Sequence, residues 1–179
     1  MKDMAEHIQE YLLERRPEMV EFLKNLVRYE TPSRDPEAQS HILAFIGEKL
    51  KELSYRVNLY PGKETGGFLI AAPSDRKKGA PIQLLVGHCD TVWKTNTLSE
   101  MPIAEEENKL TGPGIFDMKA GLTQMIFTLQ AIQDLDLKPG VTPVLLINSD
   151  EEIGSRESTS AIRKMARIAD RAFVLEPPL

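Results

Sequence analysis

The chain has 179 residues, of which 41% are hydrophobic and 27% are charged, a composition typical of a soluble globular protein. Its 27 acidic residues outnumber its 22 Lys and Arg, which gives a formal charge of −5. This balance argues against nucleic acid as a partner, because phosphate binding needs clustered basic side chains.

Length and cysteine content bear on the core and the compartment. The length suits a domain whose core needs no disulfide or structural metal. The single cysteine, Cys89, has no disulfide partner, as in proteins of a reducing interior. Residues 1–7 lack the apolar run of a signal peptide, and no stretch approaches the ~18 apolar residues of a membrane span. We expect a cytoplasmic protein that does not bind membranes.

The first part of the chain is predicted to be helical. Pro17 can lie in the first turn of a helix, with apolar residues at helical spacing, namely Val20, Leu23, Leu26 and Val27. A second helix is predicted after Pro36, with the apolar stripe Ile42, Phe45, Ile46, Leu50 and Leu53.

After the second helix the pattern changes to short apolar or alternating runs, which predict strands at 55–59, 68–72 and 82–86. A long helix is predicted after Gly121, ending before Pro139-Gly140. A strand at 144–147, an amphipathic helix at 158–169 and a last strand at 172–175 follow. Strands that alternate with helices indicate an α/β fold of three layers, with a mostly parallel sheet covered on both faces.

Ionisable residues follow three of the predicted strands. His88 and Asp90 come after the strand at 82–86, Glu151 and Glu152 come after the strand at 144–147, and Glu176 follows the last strand. A further acid, Asp117, precedes the long helix. In open α/β sheets, ligands bind beyond the carboxyl ends of the strands, so these side chains are predicted to meet at one edge of the sheet.

Bringing Asp117, Glu152 and Glu176 together would be costly, because desolvated like charges repel. A divalent cation removes this cost, and imidazole with carboxylates suits catalytic zinc, although Co²⁺ or Mn²⁺ would also be accommodated. Asp90, two residues beyond His88 on the same side of an extended chain, can orient the imidazole. Of the adjacent pair at 151 and 152, one can bind metal while the other acts as general base.

Each of these residues also has a purely structural interpretation. A histidine after a strand is often structural, and the acidic triplet Asp150-Glu151-Glu152 can form a solvated turn that caps a helix. Asp117 can cap the long helix, and Glu176 can be a surface acid. Their joint occurrence at the same ends of their elements favours a site. A dinucleotide fingerprint is excluded because Asp117 stands where its third glycine belongs, and the chain has no Gly-x-Ser-x-Gly elbow.

Four motifs in this order resemble the zinc-dependent peptidases and deacylases that include glutamate carboxypeptidase, acetylornithine deacetylase and succinyl-diaminopimelate desuccinylase. The motifs are Gly87-His88-Cys89-Asp90-Thr91-Val92, the segment from Gly112 to Gly121, Asp150-Glu151-Glu152-Ile153-Gly154-Ser155, and Glu176-Pro177. Thr31-Pro32-Ser33 also fits, so the resemblance extends over essentially the whole chain.

The resemblance implies a role for each candidate residue. His88 and Glu176 would bind one zinc, Asp117 would bridge two zincs and Glu152 would bind the second. Glu151 would be the general base, Asp90 would orient His88, and the Asp117–Met118 peptide bond would be cis. Glu at position 176 favours carboxypeptidases and deacylases over aminopeptidases. The substrate class implied is small peptides or N-acyl amino acids.

The chain also departs from this family. Members are about twice as long, with an inserted lid domain and a C-terminal segment that supplies a last histidine to the second zinc. The remaining histidines here, His7 and His41, lie in the early helical region outside any motif. The resemblance therefore implies that residues 1–179 are the N-terminal portion of a di-zinc catalytic domain, and that a homodimer would require the missing lid.

Three functional hypotheses follow. The first is a metal-dependent hydrolase of amide bonds. The second is a truncated, non-catalytic remnant that binds metal or a partner, motivated by the missing histidine. The third is a metal-dependent phosphoesterase, which the adjacent pair Glu151-Glu152 and the scarcity of histidine disfavour.

Overall fold

The structure is a computed structural model that describes residues 3–177. In chain order its main elements are α1 (Met4–Glu14), α2 (Arg16–Arg28), α3 (Pro36–Glu52), β1 (Tyr55–Tyr60), β2 (Phe68–Pro73), β3 (Ile82–His88), α4 (Thr97–Glu100), β4 (Ala104–Glu106), β5 (Lys109–Thr111), α5 (Ala120–Asp134), β6 (Thr142–Asn148), α6 (Thr159–Ile168) and β7 (Arg171–Val174). Two short helical turns, Ile115–Lys119 and Glu151–Ile153, precede α5 and follow β6.

Five strands form a mixed sheet in the order β1-β2-β6-β3-β7. The strands β6, β3 and β7 are mutually parallel, with His88 beside Asn148 and Val86 beside Val174. The strand β2 pairs antiparallel with both β1 and β6, so four strands run in one direction and β2 runs against them. The connections at 61–67 and 74–81 contain no helix, and such short links join antiparallel or non-adjacent strands, since a parallel pair needs a longer crossover.

Helices cover both faces of this sheet, which confirms the predicted three-layer α/β class. On one face, α2, α3 and α5 pack against the sheet through a large apolar core that includes Leu26, Ile46, Leu69, Leu122 and Leu145. On the other face, α6 packs through Ile162 and Met165 over a smaller cluster that contains Leu84 and Leu146. Met118 and Met125 are buried in the larger core.

The predicted helices and strands are all present, with ends shifted by a few residues. The helix α1 and the β4–β5 hairpin are additional elements that the apolar pattern did not identify. The strand β7 lies at the edge of the sheet and is exposed along its length. In the part of the chain that the structure describes, no helix combines the length and apolar character needed to cross a membrane.

A loop between α2 and α3 braces the end of β3. The Thr91 backbone N–H donates to the Thr31 carbonyl at 2.8 Å, and the Thr31 hydroxyl donates to the Cys89 carbonyl at 2.6 Å. Pro32 forms a parallel bridge with Thr91. The segment 31–33 therefore fixes the course of the chain immediately after His88.

Candidate metal centre

His88 ends β3 at the centre of the parallel part of the sheet, and its side chain is buried. Its Nδ1 lies 3.0 Å from the Asp90 carbonyl oxygen and 3.3 Å from the Asp90 carboxylate. Because both atoms are acceptors, Nδ1 carries a proton and Nε2 faces the other ionisable side chains. The Nε2 atom lies 3.0 Å from Asp117 Oδ1 and 3.2 Å from Glu176 Oε1.

Asp117 reaches His88 from the loop before α5. The chain turns through Gly114, whose φ is 69°, and the Asp117–Met118 peptide bond is cis, as the resemblance implied. The first residue of α5 is Ala120, and Lys119 rather than Asp117 holds the N-cap position. The alternative interpretation of Asp117 as a helix cap is therefore wrong. Its carboxylate is half exposed and faces His88.

The two adjacent glutamates are held by the buried carboxylate of Asp90. The backbone N–H groups of Glu151 and Glu152 donate to its two oxygens at 3.2 and 3.3 Å. Asp90 thus contacts both His88 and the turn Glu151–Ile153, which we call the glutamate turn. The sequence analysis did not assign this second role to Asp90. Glu152 lies close enough to His88 and Asp117 to share a metal ion, whereas Glu151 is exposed at the surface of the cluster.

Glu176 enters the cluster from the segment after β7. This segment crosses the start of α5 at Gly121, where an added Cβ would lie 2.3 Å from the Leu175 carbonyl oxygen. The glycine is therefore required for Leu175 to pass this close to the helix, which sets the position of the next residue. The structure in this way brings the carboxylate of Glu176 to His88 and makes a plain surface role untenable.

The pKa values reflect three carboxylates and one imidazole in close contact. Burial, together with the neighbouring Asp117, raises the pKa of Glu176 to about 7 despite the opposing effect of His88. Burial also raises the pKa of Glu152, again against the effect of His88. For His88, burial acts to lower the pKa, but the hydrogen bond and charge of Asp90, with the charges of Glu176 and Glu151, raise it to about 9.

The donor set fits a divalent transition metal. One ligand atom from each of His88, Asp117 and Glu152 lies within 4.8 Å of the others. Ligands that share a zinc ion at ~2.0 Å lie ~3.3 Å apart in tetrahedral geometry, so small side-chain rotations suffice. One imidazole nitrogen with carboxylate oxygens matches the ligand types of catalytic zinc. The carboxylate of Glu176, which contacts Nε2 of the same histidine, adds a fourth candidate ligand.

A network around Asp150, which the sequence pattern does not indicate, supports the turn Glu151–Ile153. Asp150 is buried and accepts hydrogen bonds from the Ser158 hydroxyl at 2.6 Å, the Glu157 backbone N–H at 2.7 Å and the Asn148 amide at 3.1 Å. It also accepts from the Ser158 backbone N–H at the start of α6. Asp150 thus binds the residues immediately before α6, and its side chain makes no cap hydrogen bond to the turn Glu151–Ile153 or to α6.

Glu157 anchors the loop between β1 and β2 to this region. Its carboxylate accepts from the Thr65 hydroxyl at 2.6 Å and from the backbone N–H groups of Lys63, Glu64 and Thr65. These hydrogen bonds, that of the Thr65 hydroxyl foremost, lower the pKa of Glu157. Sequence reasoning passed over this residue because its partners lie about ninety residues away along the chain.

Lys119 is a second residue that the sequence analysis did not single out. Its side chain is buried, and Nζ donates to the Tyr29 carbonyl at 2.7 Å, which ties the Asp117 loop to the end of α2. Burial lowers the pKa of Lys119 to about 8. Its position two residues after Asp117 makes it a support of that loop.

The remaining sequence predictions concern residues outside the cluster. Cys89 is buried just beyond the end of β3, and burial raises the pKa of its thiol. His7 and His41 lie on α1 and α3 and are exposed, and the metal cluster found among residues 3–177 includes neither. Lys77 and Lys78 are exposed in the loop between β2 and β3.

The architecture and the cluster together define a class of α/β protein with a metal-binding group at the carboxyl edge of its sheet. Residues 84–178 match the family described as Peptidase family M20/M25/M40, and the chain belongs to this family.

Individual relatives agree with this assignment. The chain is 31% identical over 163 residues to carboxypeptidase G2 of Pseudomonas sp. (strain RS-16), an alignment that covers 90% of this chain and 39% of that protein. Over 78 residues it is 36% identical to "Probable succinyl-diaminopimelate desuccinylase" of Staphylococcus aureus (strain Mu50 / ATCC 700699), covering 41% of this chain and 20% of that protein.

A solved structure shares the fold. Human carnosine dipeptidase 1 superposes with a TM-score of 0.81 at 19% identity, over 96% of this chain and 41% of that chain. The chain thus spans 39% of the carboxypeptidase and 41% of the dipeptidase, well under half the length of either.

Proposed function

We propose that residues 1–179 are the N-terminal portion of the catalytic domain of a metal-dependent hydrolase, which cleaves amide bonds of small peptides or N-acyl amino acids. The observation that carries this proposal is the convergence of His88, Asp117 and Glu152 within 4.8 Å, beyond the ends of β3 and β6. Membership of a peptidase family and the similarity to a carboxypeptidase support the same reaction class. Glutamate at position 176 favours a carboxypeptidase or deacylase.

The proposed metal is zinc, two ions in the complete site, with Co²⁺ or Mn²⁺ as substitutes. His88, Asp117, Glu152 and Glu176 would hold it, with Asp117 as the proposed shared ligand. When bound, the metal lowers the pKa of a coordinated water from 15.7 toward ~7 and polarises the substrate carbonyl. The protein's own contribution is to fix the ligands and to move protons.

Glu151 is the proposed general base. It is exposed at the cluster, its charge acts on His88, Glu152 and Glu176, and its backbone is fixed by Asp90. A carboxylate in this position accepts a proton from the attacking water and then donates it to the leaving nitrogen. Asp90 fixes the proton of His88 on Nδ1, so Nε2 is the nitrogen that would bind the metal and would give up its proton on binding.

The test combines metal analysis with hydrolysis. We expect the dialysed protein to retain zinc, and Glu152→Gln to lose most of it. Glu151→Gln should keep its metal but hydrolyse an N-acyl amino acid or a C-terminal glutamyl peptide ~10² to 10⁴ times more slowly. The exposed Glu48 on α3, which pairs with Lys51, gives the control variant Glu48→Gln, which should match the unmodified protein.

The outcomes separate the hypotheses. A Glu151→Gln rate within a few-fold of the control would show that Glu151 is not the base. Zinc retention without turnover would support the alternative, a non-catalytic remnant that binds metal. That alternative has its own structural basis, since the cluster found in the described residues contains a single histidine. Loss of zinc from the unmodified protein on dialysis would contradict the proposed metal site.

A further inference from the structure

Three large apolar side chains are exposed on the loops that carry the candidate ligands. Phe116, next to Asp117, is 70% exposed, and Val92, two residues after Asp90, is 68% exposed. Trp93 is 39% exposed. A single exposed apolar residue is ordinary, but several grouped at a functional site indicate a surface that binds something apolar. We refer to Val92, Trp93 and Phe116 as the apolar rim.

The two loops that carry the apolar rim are packed together. A Cβ added at Gly114 would lie 2.5 Å from Thr91 Cγ2, so the backbone before Phe116 lies directly against the residue before Val92. Trp93 and Pro113 line the same small cavity beneath these loops. The same two segments carry candidate ligands, since Asp117 directly follows Phe116 and His88 precedes Thr91 by three residues, and His88 Nε2 and Asp117 Oδ1 are 3.0 Å apart. The apolar rim therefore adjoins the candidate metal cluster.

Charge is absent from these segments. Residues 91–93 and 112–116 contain no Asp, Glu, Lys or Arg, although 27% of the chain is charged. The other large apolar side chains exposed in residues 3–177 lie on α1, on β1 or on the segment from α6 to β7, namely Met4, Leu13, Leu59, Tyr60, Ile168, Phe173 and Val174. Lys94, directly after Trp93, and Glu30 line the small cavity with Trp93, so the apolar surface is formed by the rim side chains themselves. An apolar surface on the loops of a carboxylate-rich cluster matches a ligand with a polar, metal-binding group and an apolar substituent.

We propose that the apolar rim is a specificity subsite, which receives the apolar side chain or acyl chain of a small substrate whose carbonyl group lies at the metal cluster. This inference rests on the proposed function, because it takes the cluster as the reacting centre. It adds the substrate class: amides with an aliphatic or aromatic group next to the scissile bond, in preference to those with a charged group there.

The test uses binding of two metal-chelating hydroxamates to the zinc-loaded chain. Acetohydroxamate and hexanohydroxamate share one chelating group and differ by four methylenes, each of which strengthens binding about fourfold when fully buried. Partial burial on the apolar rim predicts that hexanohydroxamate binds about tenfold more tightly. Trp93 is the only tryptophan, so its fluorescence, excited at a wavelength that the hydroxamates do not absorb, reports directly on the site.

Phe116→Ala should reduce the ratio of the two affinities to about threefold or less, with acetohydroxamate binding unchanged. Phe173→Ala is the matched control, because Phe173 is also exposed but lies on β7 beside Leu85, outside the two loops that carry the apolar rim. It should leave the ratio at about ten. Because Phe116 is exposed, its replacement should also leave the melting temperature unchanged.

The results distinguish this inference from the proposed function. If both hydroxamates bind equally, or if Phe116→Ala leaves the ratio unchanged, the apolar rim is not a subsite, while the metal site stands. If neither hydroxamate binds to the zinc-loaded chain, the metal site fails and this inference fails with it.

Discussion

Asp90 connects the candidate ligands more directly than any other residue in the cluster. Its carboxylate is fully buried, yet it contacts Nδ1 of His88 and accepts the backbone N–H groups of both Glu151 and Glu152. A buried carboxylate that lost these donors would be strongly destabilised. The same contacts set the orientation of the imidazole and the position of the glutamate turn, so one side chain aligns ligands from β3 and from the segment after β6.

Replacing Asp90 with Asn should weaken metal binding. The substitution keeps the size of the side chain but removes the negative charge beside the imidazole, and loss of such a supporting carboxylate typically costs 10- to 100-fold in metal affinity. We expect a decrease of this size for zinc, measured by competition with a chromophoric chelator.

Asp35→Asn is the control for the loss of one negative charge from the protein as a whole. Asp35 caps α3 by accepting from the Ala38 backbone N–H at 3.0 Å, and Asn is an equally good cap. This variant loses the same charge at the start of α3 and should bind zinc as the unmodified protein does. Equal zinc affinities for the two variants would mean that the charge of Asp90 does not strengthen metal binding.

At the scale of elements, the crossing of α5 and the segment after β7 decides whether Glu176 reaches the cluster. The contact at Gly121 leaves no room for a side chain, since an added Cβ would also lie 3.0 Å from Met118 Cε. Met118, the residue after Asp117, is fully buried. Pushing α5 away from Leu175 would therefore disturb two ligand-bearing segments together.

Gly121→Ala tests this crossing. Although Ala favours a helix, the overlap with the Leu175 carbonyl forces a backbone shift, and overpacking of this kind typically costs 1–3 kcal/mol. We expect the free energy of unfolding, measured by urea denaturation, to fall by about 2 kcal/mol, and zinc affinity to fall as Glu176 is displaced.

Gly140→Ala is the matched control for Gly121→Ala. An added Cβ there meets no atom within 4 Å, so stability should be unchanged or slightly increased. Full stability and full zinc affinity in Gly121→Ala would show that the segment after β7 adjusts freely and that its course does not depend on this glycine.

At the scale of the whole molecule, the sequence predicted the elements and the edge of the sheet where the ionisable residues gather. Apolar periodicity is sufficient for that, because it records which face of each helix or strand is buried. The order of the strands and the reversal of β2 were not predictable from periodicity, since they depend on pairing between distant segments.

The candidate ligands were predictable because each follows a strand or precedes a helix that the apolar pattern defines. Their supports were not: Asp150 with Ser158, Glu157 with Thr65, and Lys119 with Tyr29. Each of these contacts joins a side chain to a partner whose position is set by tertiary packing, and nothing in the local sequence distinguishes such a residue from a solvated one.

The candidate ligands come from four separate segments, at the ends of β3, of β6 and of β7 and in the loop before α5. Metal bound only by the folded state must therefore stabilise the whole fold. At a free zinc concentration 100 times the dissociation constant, the free energy of unfolding should rise by about 2.7 kcal/mol. For a chain of this length that corresponds to a melting temperature higher by roughly 5–10 °C, measured by circular dichroism with zinc buffered by a chelator.

Glu48→Gln should show the same increase, whereas Glu152→Gln should show little or none. An equal increase in Glu152→Gln would place the stabilising ion at another site, because binding at this cluster requires the carboxylate that the substitution removes.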